Sequence, residues 1–257
     1  MRAALVLLAC VLATACQTTA PLYTPLPPDD PRAGWLLRRW AEGVNGRESL
    51  RAVARLSVDG TGRNPTRLRV RQNVWLSRPS RVRVEIQSPL RTPLGVLVTD
   101  GLQYSLDTAD GIREMGSVHD ALLWEVAHLD LTPAEAVILI LGFPGMEQNL
   151  VPGRSYRGPD GRVRLDLVRA DGHLVREIEF DVEGRLARVQ TSGVDNVPPQ
   201  VVEYSDYELV DDVPFAHRVA IESAESRATL VLSLVELNPE LPLDTFQVDT
   251  TLIGEGA

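Results

Sequence analysis

The chain has 257 residues, enough for one or two domains with a sizeable hydrophobic core. Hydrophobic residues make up 44% and charged residues 24%, a composition typical of a folded globular protein rather than a disordered one. The formal net charge of -9 argues against a nucleic-acid-binding protein, because contact with phosphate backbones needs a basic surface.

The first sixteen residues, MRAALVLLACVLATAC, resemble a bacterial lipoprotein signal. Arg2 gives a short charged region, and residues 3–12 give an apolar region too short to span a bilayer. Small residues then lead to Cys16, which the pattern predicts to be acylated and to become the mature N-terminus. Cys10 is the competing acylated cysteine, and an ordinary secretory signal cleaved near Ala15 is the other interpretation.

A proline-rich segment follows Cys16 and is predicted to be an extended tether. Residues 17–31 contain five prolines, a composition that favours a semi-rigid, extended chain. A short helix is predicted over residues 32–44, where tryptophan and leucine side chains share one face. The predicted division is residues 1–15 as signal peptide, 16–31 as lipidated tether and 32–257 as one domain.

From Leu50 onward the hydrophobic pattern changes to the period of two that is typical of strands. Over residues 67–76 and 81–86, aliphatic side chains alternate mainly with arginines, which indicates an antiparallel sheet with one dry face. Asp-Gly pairs at 59, 100, 110, 160 and 171 are hairpin signals. Further strands are predicted over residues 96–98, 163–168, 174–182, 186–190, 201–207, 215–221 and 230–237.

A helical insert interrupts the strands between residues 119 and 145. Leucine and valine side chains at helical spacing mark its first helix, over residues 122–129. Its second helix is predicted to begin at Thr132 as the N-cap, with Pro133 and Glu135 following, and to end at Gly142. The predicted fold is mainly β (α+β), with about eleven strands in a single curved antiparallel sheet around this insert.

Signatures of catalysis and metal binding are largely missing from the sequence. The four histidines show no spacing such as HExxH, and there is no GxSxG elbow, P-loop or GxGxxG motif. The pair Asp211-Asp212 is best explained as a polar turn between strands. We therefore predict that the protein is not an enzyme, and we expect no catalytic residue, metal site or cofactor.

The dry face of the predicted sheet must be covered, and a short helical hairpin covers only part of it. Either side chains or a ligand fill the remaining space. Aromatic residues are only 5% of the chain, so the interior is mainly aliphatic. Such a lining suits acyl chains, which gain about 0.8 kcal/mol for each buried methylene.

The connection between the strands at 81–86 and 96–98 raises a separate question. Hairpin connections are normally polar, yet this one holds two leucines, each directly after a proline: Pro89-Leu90 and Pro93-Leu94. Leucines held at a loop tip would add no contacts to the hydrophobic core of a soluble domain.

The order of these parts resembles the LolA/LolB family, and most of all its outer-membrane receptor LolB. The segment RVRVEIQSPL...PLGVLV (81–98) is similar to the receptor's strand that runs into an Asn-Pro-Leu-Gly loop. ILGFPG (140–145) is similar to the Ile-Leu-Gly-x-Pro-Gly that closes the family's helical insert, and LNPELPLDTF (237–246) is similar to its C-terminal segment.

The resemblance implies a half-open β-barrel that binds acyl chains. In the receptor a protruding loop leucine helps to pass these chains into the membrane. Leu90 matches it by its place after the strand, and Leu94 by its Pro-Leu-Gly context; the alternative is that both fold back onto the core. The predicted residues of the acyl-chain cavity and its helical lid are Val70, Val74, Val84, Ile86, Val96, Leu122, Trp124, Ile138, Leu141, Ile178 and Phe180.

The resulting prediction is a monomeric, lipid-anchored protein on the periplasmic face of the outer membrane. It would accept acylated lipoproteins from a LolA-like periplasmic carrier and promote their insertion into that membrane. The position after the acylated cysteine holds Gln17, and not the aspartate that resembles an inner-membrane retention signal. The alternatives are a sensor like RseB, a carrier of glycolipids or other lipids, and a structural envelope lipoprotein whose side chains fill its core.

Overall fold

A computed structural model of the chain describes residues 23–60, 67–88, 90, 92–143, 150–193, 199–224 and 226–248. The predicted signal peptide and Cys16 lie outside these residues. In the described ranges, no helix combines the length and the apolar character needed to cross a bilayer. The helices are α1 (Pro31–Asn45), α2 (Leu122–Ala127) and α3 (Pro133–Ile140). The strands are β1 (Thr24–Pro25), β2 (Ser49–Gly60), β3 (Arg67–Ser77), β4 (Arg81–Gln87), β5 (Pro93–Thr99), β6 (Gln103–Thr108), β7 (Arg113–Ser117), β8 (Val151–Arg157), β9 (Val163–Val168), β10 (Leu174–Phe180), β11 (Leu186–Thr191), β12 (Gln200–Val210), β13 (Val213–Glu222) and β14 (Ser226–Leu237).

All the strands belong to one antiparallel sheet, as predicted. Strands β2 to β7 form one meander and β8 to β14 form another, and the two are joined where β14 pairs with β2. The short strand β1 adds to β8, so that β1 and β7 are the two edges of the sheet. These edges do not pair within the described residues, and the sheet is therefore not closed into a barrel.

The sheet has fourteen strands in the described residues, so the prediction of about eleven was too low. The segments that sequence patterns missed are β1, β6, β7 and β8. Strand β8 contains Pro152 and Gly153, residues that are depleted in strands, and its register with β9 shifts between Pro152 and Ser155. Neighbouring strands, rather than intrinsic propensity, hold β8 extended.

The alternation predicted for the strands is present in the structure. On β2, Leu50, Ala54 and Leu56 are buried on the inner face of the sheet, whereas Arg51 and Arg55 are exposed on the outer face. Directly paired residues share a face, and Leu56 pairs with Val70 of β3. The inner face is therefore aliphatic and the outer face is rich in arginine.

Helix α1 begins one residue before its predicted start and covers part of the inner face. The side chain of Asp30 caps it, and Pro31 occupies its first turn. Its buried face includes Leu36, Trp40 and Val44. Before the helix, β1 pairs with β8, and the described end of the proline-rich segment therefore lies along the sheet edge.

Helix α3 has the N-terminus that the sequence predicted. The hydroxyl of Thr132 accepts a hydrogen bond from the Glu135 amide, and the Glu135 carboxylate accepts one from the Thr132 amide, which forms a capping box. Val137 and Leu141 pack with β2, β3 and β14, whereas Ala136 and Leu139 pack with the cluster around α1 and β9 to β12. Helix α3 thus stands between two halves of the core.

Candidate functional site

An apolar cavity lies between the inner face of the sheet and helices α2 and α3. Its volume is about 80 Å³. Gln72 is the one polar side chain among the described residues that line it. The other lining side chains are Leu56, Leu68, Val70, Val74, Leu76, Val82, Val84, Ile86, Leu97, Leu123, Val126, Ala127, Leu129, Leu131, Ala136, Ile140, Val219, Ile221, Ala228 and Leu230.

Four of the predicted cavity residues line this space together: Val70, Val74, Val84 and Ile86. Val96 does not, because it lies on the other face of β5 from Leu97. Leu97 pairs with Val84 of β4, so the two share the inner face, whereas Val96 pairs with Glu85. Three leucine or valine positions of the predicted α2 stripe, Leu123, Val126 and Leu129, line the helical side of the cavity together with Ala136 and Ile140 of α3.

The remaining predicted residues are placed elsewhere in the core. Ile178 and Phe180 are fully buried in the cluster around α1, where the Phe180 ring meets the Trp40 ring edge-on at 6.5 Å between centroids. Leu141 is fully buried beside β2 and β3.

The other two predicted lid residues, Ile138 and Trp124, are only partly buried. Ile138 borders a space next to α1 and Phe143. Trp124 is half-buried and contacts the ring of His128. Neither side chain is among the described residues that line the apolar cavity.

A second space, here called the side cavity, adjoins the apolar cavity and reaches the protein surface. It has a volume of about 250 Å³ and shares Ile86 and Val126 with the apolar cavity. Exposed Leu94 is part of its wall, and so is Leu122, a predicted lid residue. The two spaces together form a path from the β4–β5 connection to the interior, with a mixed polar and apolar lining at its outer end and an aliphatic lining at its inner end.

The polar side chains that line the side cavity are Tyr104, Thr108, Glu114 and Glu125. The hydroxyl of Tyr104 donates a hydrogen bond of 2.6 Å to the Glu114 carboxylate. This bond, with burial as a second cause, raises the pKa of Tyr104 to about 12. Tyr104 is therefore a neutral donor over the whole physiological pH range.

The β4–β5 connection presents leucines to solvent. The side chain of Leu90 is 89% exposed and that of Leu94 is 45% exposed. The amide of Ser88 donates to the carbonyl of Thr92 at 2.8 Å, which closes the turn behind Leu90. Pro93 is exposed at the start of β5, and Pro89 lies outside the described residues.

Three side chains bind the C-terminal end of α3, a role that the sequence patterns did not predict for any of them. Trp40 donates its indole N–H to the carbonyl of Gly142 at 3.2 Å, and Tyr204 donates its hydroxyl to the carbonyl of Leu139 at 3.0 Å. Arg47 donates to the carbonyl of Leu141 at 2.9 Å and to that of Pro214 at 2.8 Å. The bonds from Trp40 and Arg47 give partners to carbonyls at the helix end, where intrahelical donors run out, and the bond from Tyr204 is a second one to the Leu139 carbonyl, which also accepts from the Gly142 amide at 3.1 Å.

Arg47 is unusual in being buried, with only 9% of its surface exposed. Its guanidinium lies over the ring of Phe215, 5.2 Å from the centroid. Burial lowers the pKa of Arg47 from its ordinary value. Arg47 also lines a third space of about 400 Å³, here called the arginine cavity, between α1 and strands β11 to β13.

The apolar cavity as it stands is too small for an acyl chain. A dry protein cavity of about 150 Å³ holds only a molecule the size of benzene, and the cavity here has about 80 Å³. A longer apolar ligand therefore requires α2 or α3 to move away from the sheet.

No protein-family model matches the chain, and no curated protein matches it either. Family membership therefore stays a prediction from the motifs. Among solved structures, a DUF1329 family protein from Desulfovibrio piger is similar, with 15% identity, a TM-score of 0.46 and coverage of 84% of this chain and 96% of that one. A LolA superfamily protein from Nitrosomonas europaea has 13% identity, a TM-score of 0.44 and coverage of 82% and 97%. The lipoprotein LppX from Mycobacterium tuberculosis has 11% identity, a TM-score of 0.33 and coverage of 83% and 99%.

Proposed function

We propose that the protein binds acyl chains between its curved sheet and helices α2 and α3. The observation that supports this most directly is the aliphatic lining of the apolar cavity, together with the side cavity that connects it to the surface. Acyl chains need contact area and few directional bonds, and each buried methylene contributes about 0.8 kcal/mol.

Entry of a chain would occur mainly by movement of α2. Helix α2 has only six residues and no side-chain cap at Ala121. Helix α3, by contrast, has a capping box at its start and three anchoring side chains at its end. Displacing Leu123 and Val126 of α2 would open the apolar cavity, and the side cavity would form the way in.

The cargo that we propose is acylated lipoprotein, delivered by a LolA-like carrier and inserted into the outer membrane. The lipoprotein-like signal ending at Cys16 supports a membrane anchor. Location in the outer membrane is supported by Gln17, because an aspartate at this position would resemble an inner-membrane retention signal. Leu90, exposed at a loop tip, is suited to contact lipid while the chains are released. In this proposal the protein acts as a monomer, without a cofactor and without catalysis.

The small volume of the apolar cavity favours one rival function, a structural envelope lipoprotein whose core is filled by its own side chains. That rival predicts no saturable binding of acyl compounds. The two proposals therefore differ in a quantity that can be measured on the isolated protein.

The test is the affinity of a soluble Cys16→Ala form for a fluorescent fatty acid. Val70 lines the apolar cavity from the inner face of β3, and its replacement by tryptophan would fill the cavity. Val53 lies on the outer face of β2, so Val53→Trp is a matched control. We expect saturable binding that Val70→Trp weakens at least about tenfold and Val53→Trp leaves unchanged.

Absence of saturable binding to the folded protein would refute acyl-chain binding and favour the structural rival. If binding is found, transfer of a lipoprotein from a loaded carrier tests the cargo. A protein that binds fatty acid but accepts no lipoprotein would retain the first proposal and lose the second.

A further inference from the structure

The arginine cavity concentrates positive charge in a protein whose net charge is -9. Three arginines line it, Arg39, Arg47 and Arg185, against one acidic residue, Glu42. Arg39 and Glu42 are exposed and Arg47 is buried, so the cavity runs from the surface to a guanidinium in the core.

The guanidinium of Arg47 is only partly satisfied. It donates to the carbonyls of Leu141 and Pro214, but its Nε is buried and has no hydrogen-bond partner among the described residues. No ion pair to Arg47 occurs in that part of the chain. A buried cation without a counter-charge is energetically costly, and an anion in the cavity would offset that cost.

Arg39 is the second arginine without a counter-charge. It lies over the ring of Trp35, 5.0 Å from the centroid, and forms no ion pair within the described ranges. Arg185, by contrast, is paired with Asp181 at 2.7 Å and with Glu183 at 3.0 Å. The cavity therefore has two guanidinium groups that form no ion pair within the described residues, against the single carboxylate of Glu42.

We propose that the arginine cavity binds a phosphate group, with Arg39 and Arg47 as its charge partners. Guanidinium groups are favoured partners of phosphate, and Arg39 and Arg47 give the lining an excess of one positive charge over Glu42 once the paired Arg185 is set aside. The volume of about 400 Å³ exceeds that of a bare phosphate. Its apolar wall, which includes Trp40, Val44 and Phe215, leaves room for a hydrocarbon group attached to the phosphate.

Binding of phosphate does not depend on the acyl-chain binding proposed above. The arginine cavity and the apolar cavity share only the side chain of Ile140 among the described residues that line them. A single lipid with its phosphate headgroup in the arginine cavity and its acyl chain in the apolar cavity would require Ile140 to move. The phosphate therefore has two sources, the free ion or a lipid headgroup, and one experiment separates them.

The experiment measures affinities of the soluble Cys16→Ala form by calorimetric titration. The probes are inorganic phosphate, 1-lauroyl lysophosphatidic acid and neutral 1-monolauroylglycerol, each lipid below its micelle concentration. The variants are Arg39→Gln and Arg47→Gln, with Arg38→Gln as a matched control on the same helix outside the cavity. Circular dichroism verifies that each variant is folded, and exposed Arg39 provides a test if Arg47→Gln does not fold.

Phosphate binding that weakens about tenfold or more in Arg39→Gln and stays unchanged in Arg38→Gln would support the proposal, because one charge-assisted hydrogen bond has that value. Tighter binding of lysophosphatidic acid than of monolauroylglycerol, lost in Arg39→Gln, would support a lipid headgroup as the source. The proposal is overturned if phosphate does not bind and the two lipids bind equally, or if Arg39→Gln changes neither affinity. Equal binding of the two lipids to the apolar cavity would still leave the proposed function intact.

Discussion

Replacing Leu90 by glutamate is expected to leave the fold unchanged and to weaken association of the protein with phospholipid vesicles. Leu90 is 89% exposed, so the substitution removes almost no core contact. Its place at the tip of the β4–β5 connection lets the side chain enter a membrane without any rearrangement of the sheet.

The size of the effect follows from the transfer of one leucine side chain. Moving it from water to an apolar environment is worth about 1.5–3 kcal/mol. With about 1.4 kcal/mol for each factor of ten, loss of this contact corresponds to about 10- to 150-fold weaker partitioning. The charge of the introduced glutamate can only add to the loss.

The assay is flotation of the soluble Cys16→Ala form with neutral phosphatidylcholine vesicles over a range of lipid concentrations. Leu102 provides a matched control, because it is 77% exposed and lies in the turn at the other end of β5. The two leucines are separated by the strand's seven residues, roughly 23 Å at about 3.3 Å per residue. If Leu102→Glu weakens flotation as much as Leu90→Glu, the loop has no special role and the reasoning is refuted.

Three further predictions concern stability. Phe180→Ala removes a fully buried ring beside Trp40 and should lower the free energy of unfolding in urea by about 3–5 kcal/mol; a loss below 1 kcal/mol, roughly the value of a surface change, would contradict the packing. Thr132→Ala removes the N-cap of α3 and should cost about 1 kcal/mol, a loss that Glu135→Ala should share if the capping box is formed. Burial raises the pKa of Tyr204 above its ordinary value, so the native state keeps this proton at a pH where the unfolded chain loses it. Tyr204 should therefore contribute a fall in stability as pH rises above about 10, by up to about 1.4 kcal/mol per pH unit, and Tyr204→Phe should show a shallower fall than the unmodified protein in urea titrations at pH 9, 10 and 11.

Several features of the fold follow from local sequence patterns. The single antiparallel sheet was predictable because alternation over β2, β3 and β4 has a period that only a half-buried strand satisfies. The start of α3 was predictable because Thr132 and Glu135 satisfy each other's backbone donors within one turn. Such interactions join residues that are close in the chain, and a short stretch of sequence therefore contains both partners.

Other features depended on residues that are distant in the chain. The strand β8 forms despite Pro152 and Gly153, because β9 and β1 supply its hydrogen-bond partners. The prediction that Val96 lines the cavity was wrong, because the β4–β5 register puts Leu97, and not Val96, opposite the inward-facing Val84. A shift of one residue reverses every side chain of a strand, and a loop of uncertain length does not define that register.

The sequence by itself determined the aliphatic inner face and the arginine-rich outer face, because these depend on spacing along one segment. Whether the leucines of the β4–β5 connection face solvent or the core was decided by the structure, in which Leu90 is exposed. Only the tertiary structure decided how much space remains inside. The cavity volume of about 80 Å³ is the small difference between the volume that the curved sheet encloses and the volume that the packed helices fill. The tertiary structure alone also brought Arg47 to the end of α3, where a guanidinium from one segment meets carbonyls from two others. Such contacts depend on chain segments that meet only in the folded state.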